Sequence, residues 1–358
     1  MASHGESIRE TWDLTPPEIV RDGLRRIRAV SSGHRVALII AAVLAAIGLV
    51  ALIIGPLLSG YDNRQNWTYV AVAFGYLMST VAAAPTLSAA LRLARGHWRR
   101  PVNRIAELWA AALIVPAILF FFLLANLPGT EGRPTVWFGW WASPWLWDSI
   151  LVLALVITGY AFLYVSSLPD FAVARDQVEN GTAGRFTRLA RDWFGTERQW
   201  RVLERAVSIL GAFYIILFVG TMTVIAADFI MSLVPGYKSA IFPAYFVVSA
   251  FEGGIALTIV TAAALRRWGH GVYLEQEQFF ALGKLQLALG LLWFYFIWTD
   301  FIIPWYGRMP QEINLLEFLY FDTYIWAFIP AFVLNFLGPL LVLMWTRLRK
   351  STIGPTIA

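Results

Sequence analysis

Cysteine is absent from the 358 residues, which excludes disulfides, thiolate metal sites and an iron–sulfur cluster held by this chain alone. Histidine is nearly as scarce. His4, His34, His97 and His270 all fall in or beside polar, basic stretches and none lies within a long apolar run. Haem held between membrane helices normally takes histidine ligands, so no intrinsic haem is expected, and no metal either. No nucleophile–base arrangement or phosphate-binding loop can be read from the spacing of the remaining polar residues. Charged residues occupy only 14% of positions, against roughly 25% in average soluble domains. The first 35 residues are polar and mixed in charge, and no cleavable signal peptide is visible there. The net charge of +5 does not point to nucleic acid, because the basic residues gather in a few loops that alternate along the chain.

What the sequence has instead is hydrophobicity, at 58% of positions. Eight apolar segments reach the ~20 residues needed to cross a bilayer core. They run approximately Val36–Leu58, Tyr69–Leu93, Ile105–Leu127, Trp147–Leu168, Ala206–Val234, Ile241–Leu265, Phe279–Ile303 and Tyr324–Trp345. The expected fold is all-α and polytopic: an N-terminal segment 1–35, a transmembrane domain 36–345 and a C-terminal tail 346–358. Most of the 28 lysines and arginines lie in the N-terminal segment, the even-numbered connections and the C-terminus. The opposite face holds Arg64, Arg133, Lys238 and Arg308. The positive-inside rule therefore places both termini in the cytoplasm. On the other face, WFGWWASPWLWD (137–148) carries five tryptophans, as an interfacial aromatic belt does. IPWYGRMPQEINLLEFLY (303–320) reads as a short interfacial helix lying on lipid or under a partner. The cytoplasmic stretch 169–201, with alternating charges, reads as a solvated connection.

Ionisable residues within spans are costly and usually pair, face the bundle interior or line a path for ions or substrate. Glu107 and Lys284 are expected just inside the third and seventh spans, near the cytoplasm. Glu252 is expected near the midplane, beside Gly253 and Gly254, which allow close helix approach. Asp228 falls late in the fifth span, Asp148 opens the fourth, and Asp300 nearly closes the seventh. Two readings stay open for this set. One is a ladder of titratable groups that carries protons; the other is a group of ion pairs, such as Lys284 with Glu107 or Glu252, that fixes helix register.

Four segments resemble the NrfD-like family, the membrane subunits of polysulfide reductase, and particularly the large membrane subunits of alternative complex III. GHWRRPVNRIAELWA (96–110) resembles the family's basic loop and Arg-x-x-Glu helix start, and SLPDFAVARD (167–176) its Pro-Asp-x-x-x-x-Arg-Asp segment. ADFIMSLVPGYKSAIFPAYFV (227–247) resembles its Asp-Phe and Pro-Gly-aromatic turn. LGKLQLALGLLWFYFIWTDFIIPWYGRMPQE (282–312) resembles its Leu-Gly-Lys helix and Pro-x-Glu loop. The resemblance implies two four-helix bundles without redox cofactors of their own, in a bacterial inner membrane. It implies an iron–sulfur partner on the non-cytoplasmic face, further membrane subunits including a paralogue, and electron exchange with quinone or quinol. Carried over residue by residue, Asp148, Asp228 and Lys238 would lie at the quinone, while Glu107, Asp170, Arg175, Glu252, Lys284 and Asp300 would form the proton path or ion pairs. One departure stands out. Quinol-binding members often carry a histidine shortly before Asp-Phe, where this chain reads TMTVIAADF (221–229). Quinol oxidation releases protons, and neutral histidine is the usual acceptor. A proton-conducting or purely structural subunit without a quinone site therefore remains open, as does an ion or solute transporter.

Overall fold

A computed structural model describes Glu18 and residues 32–59, 64–96, 98–125, 145–177, 183–233, 237, 239–269 and 274–358. Among these residues the secondary structure is entirely helical. Eight helical spans are long and apolar enough to cross a membrane: Ser32–Gly55, Trp67–Leu93, Arg99–Ala125, Trp145–Asp176, Glu197–Ile230, Phe242–Arg267, Gln276–Gly307 and Ile325–Leu343. The chain is thus a multi-pass membrane protein, and each span overlaps the segment expected from hydropathy. The structural ends run further at the fourth and fifth spans, where polar turns extend the helices beyond the apolar run. Of the tryptophan-rich stretch 137–148, residues 137–144 lie outside the described residues.

The first span is helix α1, Ser32–Ser59. The second is α2, Arg64–Thr80, and α3, Ala84–Leu93. Pro85 causes the interruption, because it has no N–H to give the carbonyl of Val81 and its ring crowds that carbonyl. Beside the break, Thr86 N–H turns to the Ala83 carbonyl at 3.0 Å. The Ala82 carbonyl takes a hydrogen bond instead from the fully buried Tyr214 hydroxyl, 2.7 Å away. The third span repeats the device: α4, Arg99–Leu108, then a 3₁₀ turn Trp109–Ala112, then α5, Ile114–Ala125. Pro116 lies four residues past Ala112 and forces the tighter turn.

The fourth span is α6, Trp145–Gln177, followed by the short α7, Ala183–Ala190. The stretch expected as a loop at 169–201 is therefore mostly helix: α6 passes through Pro169, and α8, Glu197–Ile225, starts at a capping box. In that box Thr196 Oγ1 accepts from Gln199 N–H while Gln199 Oε1 accepts from Thr196 N–H. The fifth span ends in a π-helical turn, Ala226–Ile230. Next come α9, Phe242–Arg267, and α10, Gln276–Gly307. The short helix expected within 303–320 is α11, Pro310–Tyr320, although residues 303–307 belong to α10. The eighth span is α12, Ile325–Phe332, a second π turn Val333–Leu337, and α13, Gly338–Leu343. The tail folds into α14, Thr346–Lys350, and α15, Ile353–Ile357.

The second to fifth spans pack together as a bundle through α2–α5, α3–α8 and α6–α8 contacts. Its core includes Phe74, Phe120, Leu155, Tyr214, Phe218 and Met222. The sixth span, α9, lies against the second. Gly253 and Gly254 make this possible: a Cβ on Gly254 would come within 2.7 Å of the Ala83 carbonyl carbon. The seventh and eighth spans stack outside α9 over a cluster of Trp293, Ile297 and Phe336. The first span meets the rest chiefly through α2, and no part of its apolar window is buried. An arrangement as two four-helix bundles is not apparent in these contacts.

Candidate functional site

Acidic side chains sit at three levels of the bundle, and their surroundings differ. At the level of α4, Glu107 is fully buried and every lone-pair direction is met. Its Oε1 accepts from Ser88 Oγ at 2.5 Å and from Arg92 Nε and Nη2 at 2.9 and 2.7 Å. Its Oε2 accepts from Arg104 Nη1 at 3.0 Å and Ser166 Oγ at 2.9 Å. Arg104 then pairs with Asp170 at 2.9 Å and donates to the Ser166 carbonyl at 2.6 Å. Two arginines and two carboxylates thus tie α3, α4 and α6 together with formally balanced charge. The sequence pointed to Glu107, Asp170 and the Arg104-x-x-Glu107 spacing. Arg92, which read as an ordinary cytoplasmic-loop cation, was missed as a partner, and so were Ser88 and Ser166.

At mid-span, Glu252 lies ~15 Å into α9 and is 2% exposed. Its neighbours are neutral: Gln286 Nε2 from α10 and Asn335 Nδ2 from the second π turn each approach an oxygen at 3.4 Å. Gly290 gives the carboxyl room, since a Cβ there would stand 3.2 Å from Oε1. The two amides were not recognised in the sequence. Their only signal is that Gln and Asn are rare in an apolar span.

At the opposite end, Asp148 in the first turn of α6 and Asp228 in the first π turn are 2% and 3% exposed. None of their four carboxyl oxygens has a hydrogen-bond partner among the described residues. The two are near enough for the charge of one to act on the other. Phe229, next to Asp228 in the chain, packs against Phe74 and Phe120. Lys238, expected at this place, lies outside the described residues.

Asp300 belongs to a separate cavity of about 220 Å³ between the end of α10, α11 and residues 239–241. It accepts from Ser239 Oγ at 2.6 Å and Tyr237 Oη at 3.1 Å. Burial, then the Asp300 carboxylate, pushes the Tyr237 phenol up from its ordinary value. Glu312, Leu316 and Tyr320 form the α11 side.

Two expected members do not join these clusters. Lys284 is exposed and lies over the Phe280 ring at 4.6 Å, so the ion pair expected with Glu107 or Glu252 is replaced by the arginine pairs of Glu107 and the amides of Glu252. The cause is register: on α10, Gln286 and Gly290 face α9, and Lys284 points away. Arg175 pairs with its neighbour Asp176 at 2.8 Å and reaches the Trp193 carbonyl at 3.4 Å, beyond the Glu107 cluster. No group of three or more metal-ligating side chains occurs among the described residues. Among known proteins, no family model matches the chain and no curated protein is significantly similar to it.

Proposed function

We propose that this chain is an integral subunit of a quinone-linked respiratory oxidoreductase in a bacterial inner membrane, with both termini cytoplasmic, and that buried carboxyls within it carry protons. The observation that carries the reading is the contrast between Glu107, enclosed by two arginines, and Asp148, Asp228 and Glu252, which have no cation beside them among the described residues. A carboxyl kept in a bundle without a counter-charge adds nothing to stability, which suits a group that gains and loses a proton. The resemblance in segments 96–110, 167–176, 227–247 and 282–312 supports the respiratory setting. It adds an iron–sulfur partner on the non-cytoplasmic face and a quinone near Asp148 and Asp228. Lacking a histidine before Asp228, the site would rely on these carboxyls to take protons from quinol.

A structural anchor is the reading favoured by the Arg92–Glu107–Arg104–Asp170 knot, which joins three helices through paired charges. Purification from the native membrane in mild detergent separates the readings. The main one expects an iron–sulfur subunit to co-purify and quinone-linked electron transfer to release protons. Glu252→Gln should leave the complex assembled and lower proton release per electron. Unchanged proton release in that variant would leave the anchor. Recovery of a lone homo-oligomer that moves a solute in liposomes would overturn both in favour of a transporter.

A further inference from the structure

Lys284, Arg349 and Lys350 converge on one aromatic ring. Their charged groups lie 4.6, 5.6 and 5.9 Å from the Phe280 centroid. No carboxylate pairs with any of the three among the described residues. Arg349 spends one donor on the Leu343 carbonyl at 3.0 Å, while its buried Nε has no partner among the described residues. A ring quadrupole attracts cations but does not cancel the repulsion among three of them. An anion between them would.

The cluster is built into the fold. The tail helices α14 and α15 pack on α10, and the absence of a side chain at Gly283 admits them. A Cβ there would stand 3.0 Å from Pro355 Cγ and 3.3 Å from Arg349 Cγ. Along the chain leading to the two tail cations, Leu341 in the last turn of the eighth span and Met344, Trp345 and Leu348 just after it are exposed. Three cations without acidic partners next to an uncovered apolar strip suit an amphiphile with an anionic head and hydrocarbon tails. Basic clusters at the cytoplasmic ends of membrane helices bind such headgroups; in the orientation proposed above from the charge asymmetry of the loops, this end is cytoplasmic.

We propose that Lys284, Arg349 and Lys350 hold the phosphate of an anionic phospholipid, whose acyl chains run along Leu341, Met344 and Trp345. Native mass spectrometry of the full chain, titrated with phosphatidylglycerol, phosphatidylcholine or inorganic phosphate, tests it. The double variant Lys284→Gln/Lys350→Gln should bind phosphatidylglycerol roughly 25-fold more weakly, at about a factor of five per cation. Lys284→Arg/Lys350→Arg should retain binding, and so should Arg100→Gln/Arg201→Gln, which alters basic residues elsewhere. Undiminished binding by the glutamine variant overturns the proposal. So does an equal loss in the Arg100/Arg201 variant, or phosphatidylcholine binding as tightly. Displacement of the lipid by inorganic phosphate at matching concentration would assign the cations to a soluble anion and overturn the lipid.

Discussion

Glu107 and Asp228 are both buried acids near opposite ends of a helical bundle, yet opposite outcomes follow from changing them. Removing one member of a buried ion pair leaves the others uncompensated and costs ~3–5 kcal/mol. Arg92 and Arg104 are partly exposed, so Glu107→Ala should fall at the low end, about 3 kcal/mol, read as a lower thermal midpoint in detergent. Asp228 has no partner to abandon among the described residues, so on the proposed function its loss should be felt in turnover and not in melting. Tyr237 yields a pH dependence. Its phenol is raised in the folded protein by burial and by the Asp300 carboxylate, so the folded state favours the protonated form. That contribution is complete below the unfolded value of about 10 and is lost as the pH climbs from there towards the folded value. Between about pH 10 and 12 the wild type should lose stability more steeply than Tyr237→Phe, and parallel melting curves would refute this. The difference between satisfied and unsatisfied acids was invisible in the sequence. Residue type and depth marked Glu107, Asp148, Asp228 and Glu252, but partners such as Ser166 and Asn335 come from distant helices whose facing sides no spacing rule reveals.

Proline marks helix interruptions only in part, because the helices run on through Pro169, Pro304 and Pro330. Pro85 and Pro116 each end a run of regular hydrogen bonding one turn upstream, and the structure breaks there. What proline does not announce is which group repairs the damage. Tyr214, far along the chain, supplies a hydroxyl to the Ala82 carbonyl. Tyr214→Phe should leave that carbonyl unpaired and cost about 1–3 kcal/mol, measurable by thermal unfolding in detergent. An unchanged midpoint would mean the carbonyl finds another donor. Neither π turn was read from the sequence. Pro339, which denies an N–H to the Asn335 carbonyl, is the nearest signal for the second, and Ala226–Ile230 has none within it.

For the whole molecule, hydropathy located all eight spans, since a lipid-facing helix must be apolar for its full length. The assembly of the spans was not legible in the same way: hydrocarbon is as apolar as leucine, so composition does not say which helix faces which. The first span shows the consequence. It is as hydrophobic as any other and yet packs on little more than α2. Removing α1, Ser32–Ser59, should leave the thermal midpoint of the remainder close to that of the full chain, a stability change within about 1 kcal/mol, as for a surface element with few packed neighbours. A collapse of that midpoint would show that α1 completes the core.

The two π turns also bear on how this chain should be compared with others. A π turn contains one residue more than the α-helical path it replaces, and π turns cluster at functional positions. A homologue lacking a single residue within Ala226–Ile230 would keep its downstream apolar pattern while swinging the aspartate towards the acyl chains. Gaps one position wide at this point, or within Val333–Leu337, should therefore coincide with loss of the acidic residue at 228 or 252.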